Sequence, residues 1–211
     1  MPVDEPLYPV NLRLAGAKCL VVGGGHVAAS KVRGLLEAGA RVHVIAPDVV
    51  AELDELADVT VERRAYACGD VTGFRLAIAA TGDPNVNQAV YDDGESVGVW
   101  VNAADDPDRC SFTLPARIRR GPLLVTVATG GHSPAFSAWL RDRLDGEVGP
   151  EYETLLLLVA EAREQLRREG RAVDALAWRE ALDSGMLELV REGHLAEAKE
   201  RLQACLSSSS G

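Results

Sequence analysis

The sequence predicts an α/β protein with a doubly wound parallel sheet, followed by a small α+β region and a C-terminal helical region. Three observations lead to this class. Short apolar runs alternate with helical patterns over the first half of the chain, a glycine-rich turn joins the first apolar run to the first helical pattern, and the last part of the chain is helical throughout. Apolar, β-branched strands that alternate with helices are typical of a parallel sheet covered on both faces.

Apolar runs predict the strands of this sheet at residues 18–22, 41–46, 59–63, 75–80 and 97–101. Apolar residues at helical spacing predict a first helix over residues 27–38. Pro84 lies where a second helix would begin, and its missing N–H costs nothing in the first turn of a helix. We expect that second helix to end near residue 95.

The alternation of strands and helices stops near residue 105. Two extended runs, 110–114 and 123–128, then flank a stretch that contains a turn. Ser133 followed by Pro134 is typical of a helix start, and that helix is expected to reach residue 144. After a boundary at 146–150, helical patterns cover 152–169, 172–182, 185–190 and 195–206.

Composition excludes several classes of partner. The 211 residues include 22 lysines and arginines against 32 aspartates and glutamates, a net charge of −10, which argues against nucleic acid because phosphate binding needs clustered cations. No apolar run reaches the roughly 20 residues of a membrane span, and the first residues lack the layout of a secretion signal, so we expect a cytoplasmic protein without a membrane partner. Four scattered cysteines and four histidines without ligand spacing predict no resident metal.

The turn after the first predicted strand reads GGGHVA over residues 23–28, which fits the GxGxxA motif of dinucleotide-binding turns. Gly23 permits the tight turn, Gly25 allows close approach of a pyrophosphate, and Ala28 allows the helix to pack on the sheet. Asp48 follows the second predicted strand, where a carboxylate can bind a ribose 2′-hydroxyl and would repel a 2′-phosphate. The motif therefore predicts NAD as the cofactor; the alternative is a glycine-rich turn with Asp48 as a solvated loop residue.

Ligands of open parallel sheets bind beyond the carboxyl ends of the strands. Thr81 follows the fourth predicted strand and Asn102 the fifth, and both are expected to contact nicotinamide or ribose. Asp105 and Asp106 would face the reacting end of the cofactor, although a simple turn before Pro107 would explain them equally well.

Three segments resemble the N-terminal module of the siroheme synthase family, and together they span much of residues 8–145. They are YPVNLRLAGAKCLVVGGGHVAASKVRGLLEAGARVHVIAP, AIAATGDPNVNQAV and VNAADDPDRCSFTLPARIRRGPLLVTVATGGHSPAFSAWLRDRL. The resemblance implies a Rossmann-like fold and NAD⁺-dependent oxidation of precorrin-2 to sirohydrochlorin in siroheme biosynthesis. Insertion of Fe²⁺ by a ferrochelatase activity is left open, as is the choice of Fe²⁺ or Co²⁺ as the metal substrate.

The resemblance also implies roles for particular residues. The family's catalytic aspartate follows an Asn-x-x-Asp pattern, which falls on Asn102 and Asp105, so Asp105 is expected to act as a general base. Thr129 occupies a position where some members carry a serine that is modified. The resemblance implies cofactor contacts at His26, Val27, Pro47 and Asp48. With the glycines of the motif and the residues at the strand ends, the expected cofactor-binding residues are Gly23, Gly24, Gly25, His26, Val27, Pro47, Asp48, Thr81 and Asn102.

The resemblance further implies a homodimer, formed through the region after the α/β domain; an intramolecular cap on the sheet is the alternative. The expected divisions are an NAD-binding Rossmann domain at 1–112, a dimerisation region at 113–146, a helical C-terminal domain at 147–206 and a disordered tail at 207–211.

The implied tetrapyrrole substrate is a polycarboxylate, so an acidic protein needs local cations to bind it. Arginines cluster near the predicted turn of the hairpin, and N–H groups at the following helix start could bind a carboxylate. His132 is a second candidate for acid–base work. The expected substrate-binding residues are Arg117, Arg119, Arg120, Thr129, Gly130, Gly131, His132 and Ser133; solvated or locally paired arginines are the alternative.

Two other classes of function remain open at this stage. An NAD-sensing regulatory or binding module would need the glycine turn but not Asp105, so the need for Asp105 distinguishes the dehydrogenase from such a module. Another small-molecule dehydrogenase is the weaker option, because the chain has no Tyr-x-x-x-Lys pair.

Overall fold

The computed structural model of the chain describes residues 6–56, 58–104, 106–172 and 174–208. The chain forms two compact units. The first unit comprises the chain up to Leu114 together with Thr129–Pro134, and the second comprises Pro115–Ala128 and the chain from Ala135 onward.

The described part of the first unit contains a five-stranded parallel sheet in the order β3-β2-β1-β4-β5. The strands are β1 Lys18–Val22, β2 Arg41–Ile45, β3 Val59–Glu62, β4 Leu76–Ala79 and β5 Trp100–Ala103. The helices are α1 His26–Glu37, the short α2 Ala51–Asp54 and α3 Pro84–Val97. The strand order reverses beside β1, which confirms the predicted doubly wound sheet and creates a switch point between β1 and β4.

Two apolar layers cover the faces of this sheet. Val21 and Val32 belong to the layer on the α1 side, and Leu20 and Val90 to the layer on the α3 side. Because β1 is central, its residues from Cys19 onward are buried on both faces, which explains why its sequence is continuously apolar rather than alternating.

Residues 63–75 join β3 to β4 through a series of turns that pack beside α3. The Asp93 carboxylate of α3 anchors them: it accepts hydrogen bonds from the Tyr66 hydroxyl (2.7 Å), the Gly69 N–H (2.8 Å) and the Cys68 thiol (3.1 Å). The hydrogen bond from Tyr66 is the main cause that lowers the pKa of Asp93 below its usual range. This carboxylate therefore fixes a connection in which other doubly wound folds place a helix.

Two predicted strands differ from the structure. The expected strand at 97–101 begins only at Trp100, because α3 continues to Val97 and Gly98 ends it in the left-handed conformation (φ 73°). Asn102 therefore lies inside β5 rather than beyond it. The expected extended run at 110–114 is wrong apart from a single bridge between Cys110 and Asn102.

The second unit contains an antiparallel hairpin of β6 Ala116–Arg120 and β7 Leu123–Val127. Gly121, with a φ of 52°, supplies the left-handed residue of the two-residue turn between them. The helices that follow are α4 Pro134–Glu147, α5 Glu151–Arg168, α6 Ala175–Leu182, α7 Met186–Arg191 and α8 Leu195–Ser208.

A core of buried residues such as Met186 and Leu202 joins helices α5 to α8. Helix α8 continues to Ser208, because Leu206, 3% exposed, still packs in that core. The expectation of a disordered tail is therefore wrong for Ser207 and Ser208, and residues 209–211 lie outside the described residues. Among the helices of the described residues, none has the length and apolar character that a bilayer crossing requires.

Candidate functional site

The glycine turn is wedged between the ends of two strands. A Cβ at Gly23 (φ 126°) would overlap the Ala80 carbonyl after β4, and a Cβ at Gly24 would overlap the Asp48 carbonyl after β2. The Val50 N–H donates to the Gly24 carbonyl at 2.8 Å, which pins the chain after β2 to the turn. Glycine is thus required at residues 23 and 24 for packing, and the turn is fixed at the switch point of the sheet.

Gly25 differs from its two neighbours because a Cβ there would meet no atom within 4 Å. It is exposed and immediately precedes α1, whose first N–H groups have no side chain of a capping residue to bind. Ala28 is fully buried and brings α1 close to the sheet. Open space in front of uncapped N–H groups at a helix start fits the pyrophosphate of a dinucleotide.

Exposed polar side chains surround the chain after β2. Pro47 and Asp48 are both exposed, at the place predicted for the ribose. His26 and Arg33 of α1 extend toward α2, where both bind the Glu52 carboxylate: His26 Nδ1 lies 3.2 Å from one oxygen, and an Arg33 nitrogen lies 3.3 Å from the other. Sequence reasoning missed Glu52 because it did not predict the short helix α2.

Thr81 follows β4, as predicted, but its hydroxyl forms hydrogen bonds within the protein. That hydroxyl donates to the Asn87 side-chain oxygen at 2.8 Å and accepts from the Asp83 N–H at 3.1 Å. The Asn87 amide in turn donates to the Thr81 carbonyl at 3.1 Å, and Asn87 is 7% exposed. These bonds fix the turn that follows β4. Nothing in the sequence indicated this role for Asn87, because a polar residue in a helical segment is usually exposed.

Asn102, Cys110 and Phe112 form contacts that hold the two ends of the loop after β5 together, a set of contacts called the clasp. The Asn102 amide donates to the Phe112 carbonyl at 2.9 Å and lies 3.3 Å from Cys110 Sγ. The Cys110 thiol contacts the carbonyls of Ala103 (3.3 Å) and Asp106 (3.2 Å). Burial raises the pKa of Cys110, so the thiol stays protonated and can donate. Asn102 is thus placed to shape this loop from within the sheet.

The structure describes Asp106 of this loop but not the adjacent Asp105. Asp106 forms an ion pair with Arg109, and the Arg109 guanidinium also donates to Gln88 of α3. The side chains of Arg109 and Asp106 are 29% and 31% exposed. Asp105, the predicted general base, lies outside the described residues; its described neighbour Ala104 donates its N–H to the Ala79 carbonyl at 2.8 Å. The loop is therefore tied to β4, β5 and α3 on both sides of residue 105.

Residues 129–133 form a turn that leads into α4 and belongs to the first unit. Gly130 and Gly131 both have positive φ angles, 59° and 78°. The Thr129 hydroxyl accepts from the Ser133 N–H at 3.3 Å, and the His132 N–H donates to the Thr129 carbonyl at 3.0 Å. His132 Nδ1 lies 2.9 Å from the same carbonyl and so carries the proton, which leaves Nε2 as the basic nitrogen of the neutral ring.

The three predicted arginines lie on β6 in the second unit, on different faces of the hairpin. Arg117 and Arg119 are exposed, whereas Ile118 between them is buried on the opposite face. Arg120 binds the Asp145 carboxylate at 2.8 Å and so ties the hairpin to the end of α4. Arg117 and Arg119 are thus exposed on one face of the hairpin, and Arg120 contacts α4 from the other.

The parallel sheet, its switch point and the open glycine turn define a dinucleotide-binding protein of the Rossmann class. The chain belongs to the family described as "Putative NAD(P)-binding", whose model matches residues 10–116. The observed parallel sheet confirms the predicted fold, and the family description supports a dinucleotide cofactor of the NAD(P) type.

Two curated relatives, both named siroheme synthase, align with nearly the whole chain. The relative from Methylococcus capsulatus is 40% identical over 200 residues, which are 92% of this chain and 42% of the relative. The relative from Nitrosococcus oceani is 36% identical over 203 residues, 94% of this chain and 43% of the relative. The chain therefore spans about two-fifths of the length of these relatives.

One solved structure is similar over its whole length. It is named SirC, precorrin-2 dehydrogenase; it is 28% identical to this chain with a TM-score of 0.74, and the alignment covers 94% of this chain and 98% of that one. Together with the curated relatives, it confirms the resemblance to the siroheme synthase module.

Proposed function

We propose that this chain is an NAD⁺-dependent dehydrogenase that oxidises precorrin-2 to sirohydrochlorin in siroheme biosynthesis. The observation that carries the proposal is the convergence at one edge of the sheet of the open glycine turn, the exposed Asp48 and the clasped loop after β5. Likeness over nearly the full length to a protein named precorrin-2 dehydrogenase supplies the substrate.

Different residues are assigned to the cofactor and to the substrate. The N–H groups at Gly25 and the start of α1 would hold the pyrophosphate, and Asp48 would hold the adenosine ribose. When bound, NAD⁺ supplies the acceptor for the hydride that leaves the macrocycle. The oxidation also releases a proton, and we assign Asp105 as the base that takes it. Asp106 is paired with Arg109, and the Asn-x-x-Asp pattern of the resemblance falls on Asp105.

Binding of a polycarboxylate by a protein of net charge −10 requires local positive charge. The Asp106–Arg109 pair removes one negative charge from the loop beside residue 105. We assign the N–H groups of residues 130–133, which belong to the same unit as that loop, to substrate carboxylates. Arg117 and Arg119, exposed on the hairpin of the second unit, remain predicted substrate-binding residues. Arg120, held by Asp145, would instead maintain the shape of the hairpin.

We further propose a cytoplasmic homodimer formed through residues 113–146. Helix α4 supports this, because Phe136 and Trp139 are 51% and 54% exposed, with ring centroids 5.5 Å apart. Exposed aromatic pairs are typical of protein interfaces. Cys19, Cys68 and Cys110 are free thiols, which is the state expected of cysteines in the cytoplasm.

An anaerobic assay with precorrin-2 and NAD⁺ tests the proposal when the wild type is compared with Asp105→Asn and Asp106→Asn. We expect NADH from the wild type, a loss of roughly a hundredfold or more in Asp105→Asn, and a smaller loss in Asp106→Asn. Addition of Fe²⁺ or Co²⁺ to the product then tests metal insertion. Binding of NAD⁺ without any NADH formation would overturn the dehydrogenase and favour an NAD-sensing module.

A further inference from the structure

Glu52 binds the side chains of both Arg33 and His26 beside the glycine turn, and the three residues form a triad. Glu52 Oε1 lies 3.2 Å from His26 Nδ1, and Glu52 Oε2 lies 3.3 Å from an Arg33 guanidinium nitrogen. The hydrogen bond from His26, followed by that from Arg33, lowers the pKa of Glu52, so the carboxylate is ionised at neutral pH. The Arg33 guanidinium and the His26 ring are therefore both bound by one carboxylate of α2.

The triad lies at the predicted ribose site. His26 directly follows Gly25, and α2 begins three residues after Asp48. The hydrogen bond from Val50 to Gly24 holds this segment against the turn. The adenosine ribose of a dinucleotide binds beyond the second strand of such a sheet, so a 2′-phosphate would enter next to these side chains.

Discrimination between NAD and NADP depends on the charge at this place. An arginine near the end of the second strand accommodates a 2′-phosphate, because its guanidinium matches phosphate geometry. Arg33 would be such an arginine and His26 a second hydrogen-bond donor, but the Glu52 carboxylate binds both side chains.

We propose that Glu52 determines cofactor specificity by holding Arg33 and His26 away from a 2′-phosphate. The inference rests on the proposed dinucleotide site and adds a second acidic residue to Asp48. Asp48 would repel the phosphate at the ribose, whereas Glu52 withholds the Arg33 guanidinium and the His26 N–H that would otherwise bind the phosphate.

A stability role does not account for the triad. The His26 and Arg33 side chains are 85% and 49% exposed, and ion pairs between exposed groups contribute little to stability. Substitution of Glu52 is therefore expected to leave the protein folded, which makes the specificity measurable. Asp54, on the same short helix, offers a matched control because it pairs with Arg63 and not with the glycine turn or α1.

The test is direct titration of NADH and NADPH, followed by the change in cofactor fluorescence, with wild type, Glu52→Gln, Asp54→Asn and the double variant Glu52→Gln/Arg33→Gln. We expect the wild type to prefer NADH, and Glu52→Gln to shift the ratio of the two dissociation constants toward NADPH by roughly tenfold or more. Asp54→Asn should keep the wild-type ratio, and the double variant should lose most of the shift.

Three results would overturn the inference: a wild type without preference, an unchanged ratio in Glu52→Gln, or a shift that persists in full in the double variant. Failure of the wild type to bind either dinucleotide is a distinct result, because it would overturn the proposed function itself.

Discussion

Substitution of alanine at two adjacent glycines should separate folding from cofactor binding. The backbone of Gly25 is extended (φ −84°, ψ −177°), which any residue adopts, and a Cβ there would meet no atom within 4 Å. Loss of unfolded-state entropy would stabilise Gly25→Ala by about 0.4–1 kcal/mol. Alanine is a poorer N-cap than glycine by about the same amount. The free energy of unfolding should therefore change by less than about 1 kcal/mol.

Gly24→Ala should behave in the opposite way. Its Cβ would overlap the Asp48 carbonyl oxygen and lie 2.9 Å from the Val49 Cα, so the backbone after β2 must move. Overpacking of this kind costs about 1–3 kcal/mol, and a rigid backbone neighbour places it at the upper end. For a chain of this length, each kcal/mol lowers the melting temperature by about 2–4 °C, so a fall of roughly 5–10 °C is expected.

Thermal unfolding and titration with NADH measure the two effects on the same samples. Gly25→Ala should keep its melting temperature yet bind NADH roughly tenfold more weakly or worse, because its methyl group enters the space assigned to the pyrophosphate and weakens a charge-assisted hydrogen bond. Wild-type NADH affinity in a folded Gly25→Ala variant would refute the placement of the cofactor at this turn.

Three further predictions concern the loop after β5, the connection between β3 and β4, and α4. Arg109→Gln exposes the Asp106 charge and should raise the KM for precorrin-2 by roughly fivefold, with NADH affinity unchanged. Arg109→Lys should bring the KM part of the way back to the wild-type value. An unaltered KM in Arg109→Gln would contradict the role of this ion pair. Asp93→Asn should destabilise the fold by about 1–2 kcal/mol at pH 7. Because the folded pKa of Asp93 is depressed below 3.8, its contribution is present above that pH and lost as pH falls through the folded pKa, so urea unfolding curves of variant and wild type should converge in acid. Trp139→Ser should weaken the proposed dimer by roughly tenfold or more in analytical ultracentrifugation, while the exposed Leu176→Ser, a control on α6, should not.

Sequence reasoning succeeded where the signal is local. The apolar run of β1 and the GGGHVA turn carry their own constraints, since a buried parallel strand is apolar throughout and only glycine fits at residues 23 and 24. The start of α3 at Pro84 was predictable for the same reason, because proline fits the first turn of a helix.

The errors have identifiable physical causes. Strand β5 was placed too early because the left-handed conformation of Gly98, which ends α3, was not recognised as a helix stop. Strand β6 was missed because the sequence ARIRR has only Ile118 as a buried apolar residue. An edge hairpin with one exposed face needs no more than that.

Contacts between distant residues explain what the sequence could not reveal about the site. Arg109 binds Gln88 from 21 positions away, and Glu52 binds His26 from 26 positions away. Neither pair forms a motif, so each becomes visible only when the sheet brings the loops together. The sequence therefore located the cofactor turn but not the charges that surround it.

The stoichiometry of one anaerobic reaction shows whether NAD⁺ is the oxidant of precorrin-2. Purified protein, precorrin-2 and an excess of NAD⁺ are mixed, and NADH and sirohydrochlorin are measured in the same sample. The two products should form together in equal amounts, and Gly25→Ala should slow the formation of both alike. Sirohydrochlorin that forms at the same rate without NAD⁺, or NADH that forms without sirohydrochlorin, would contradict the proposed reaction.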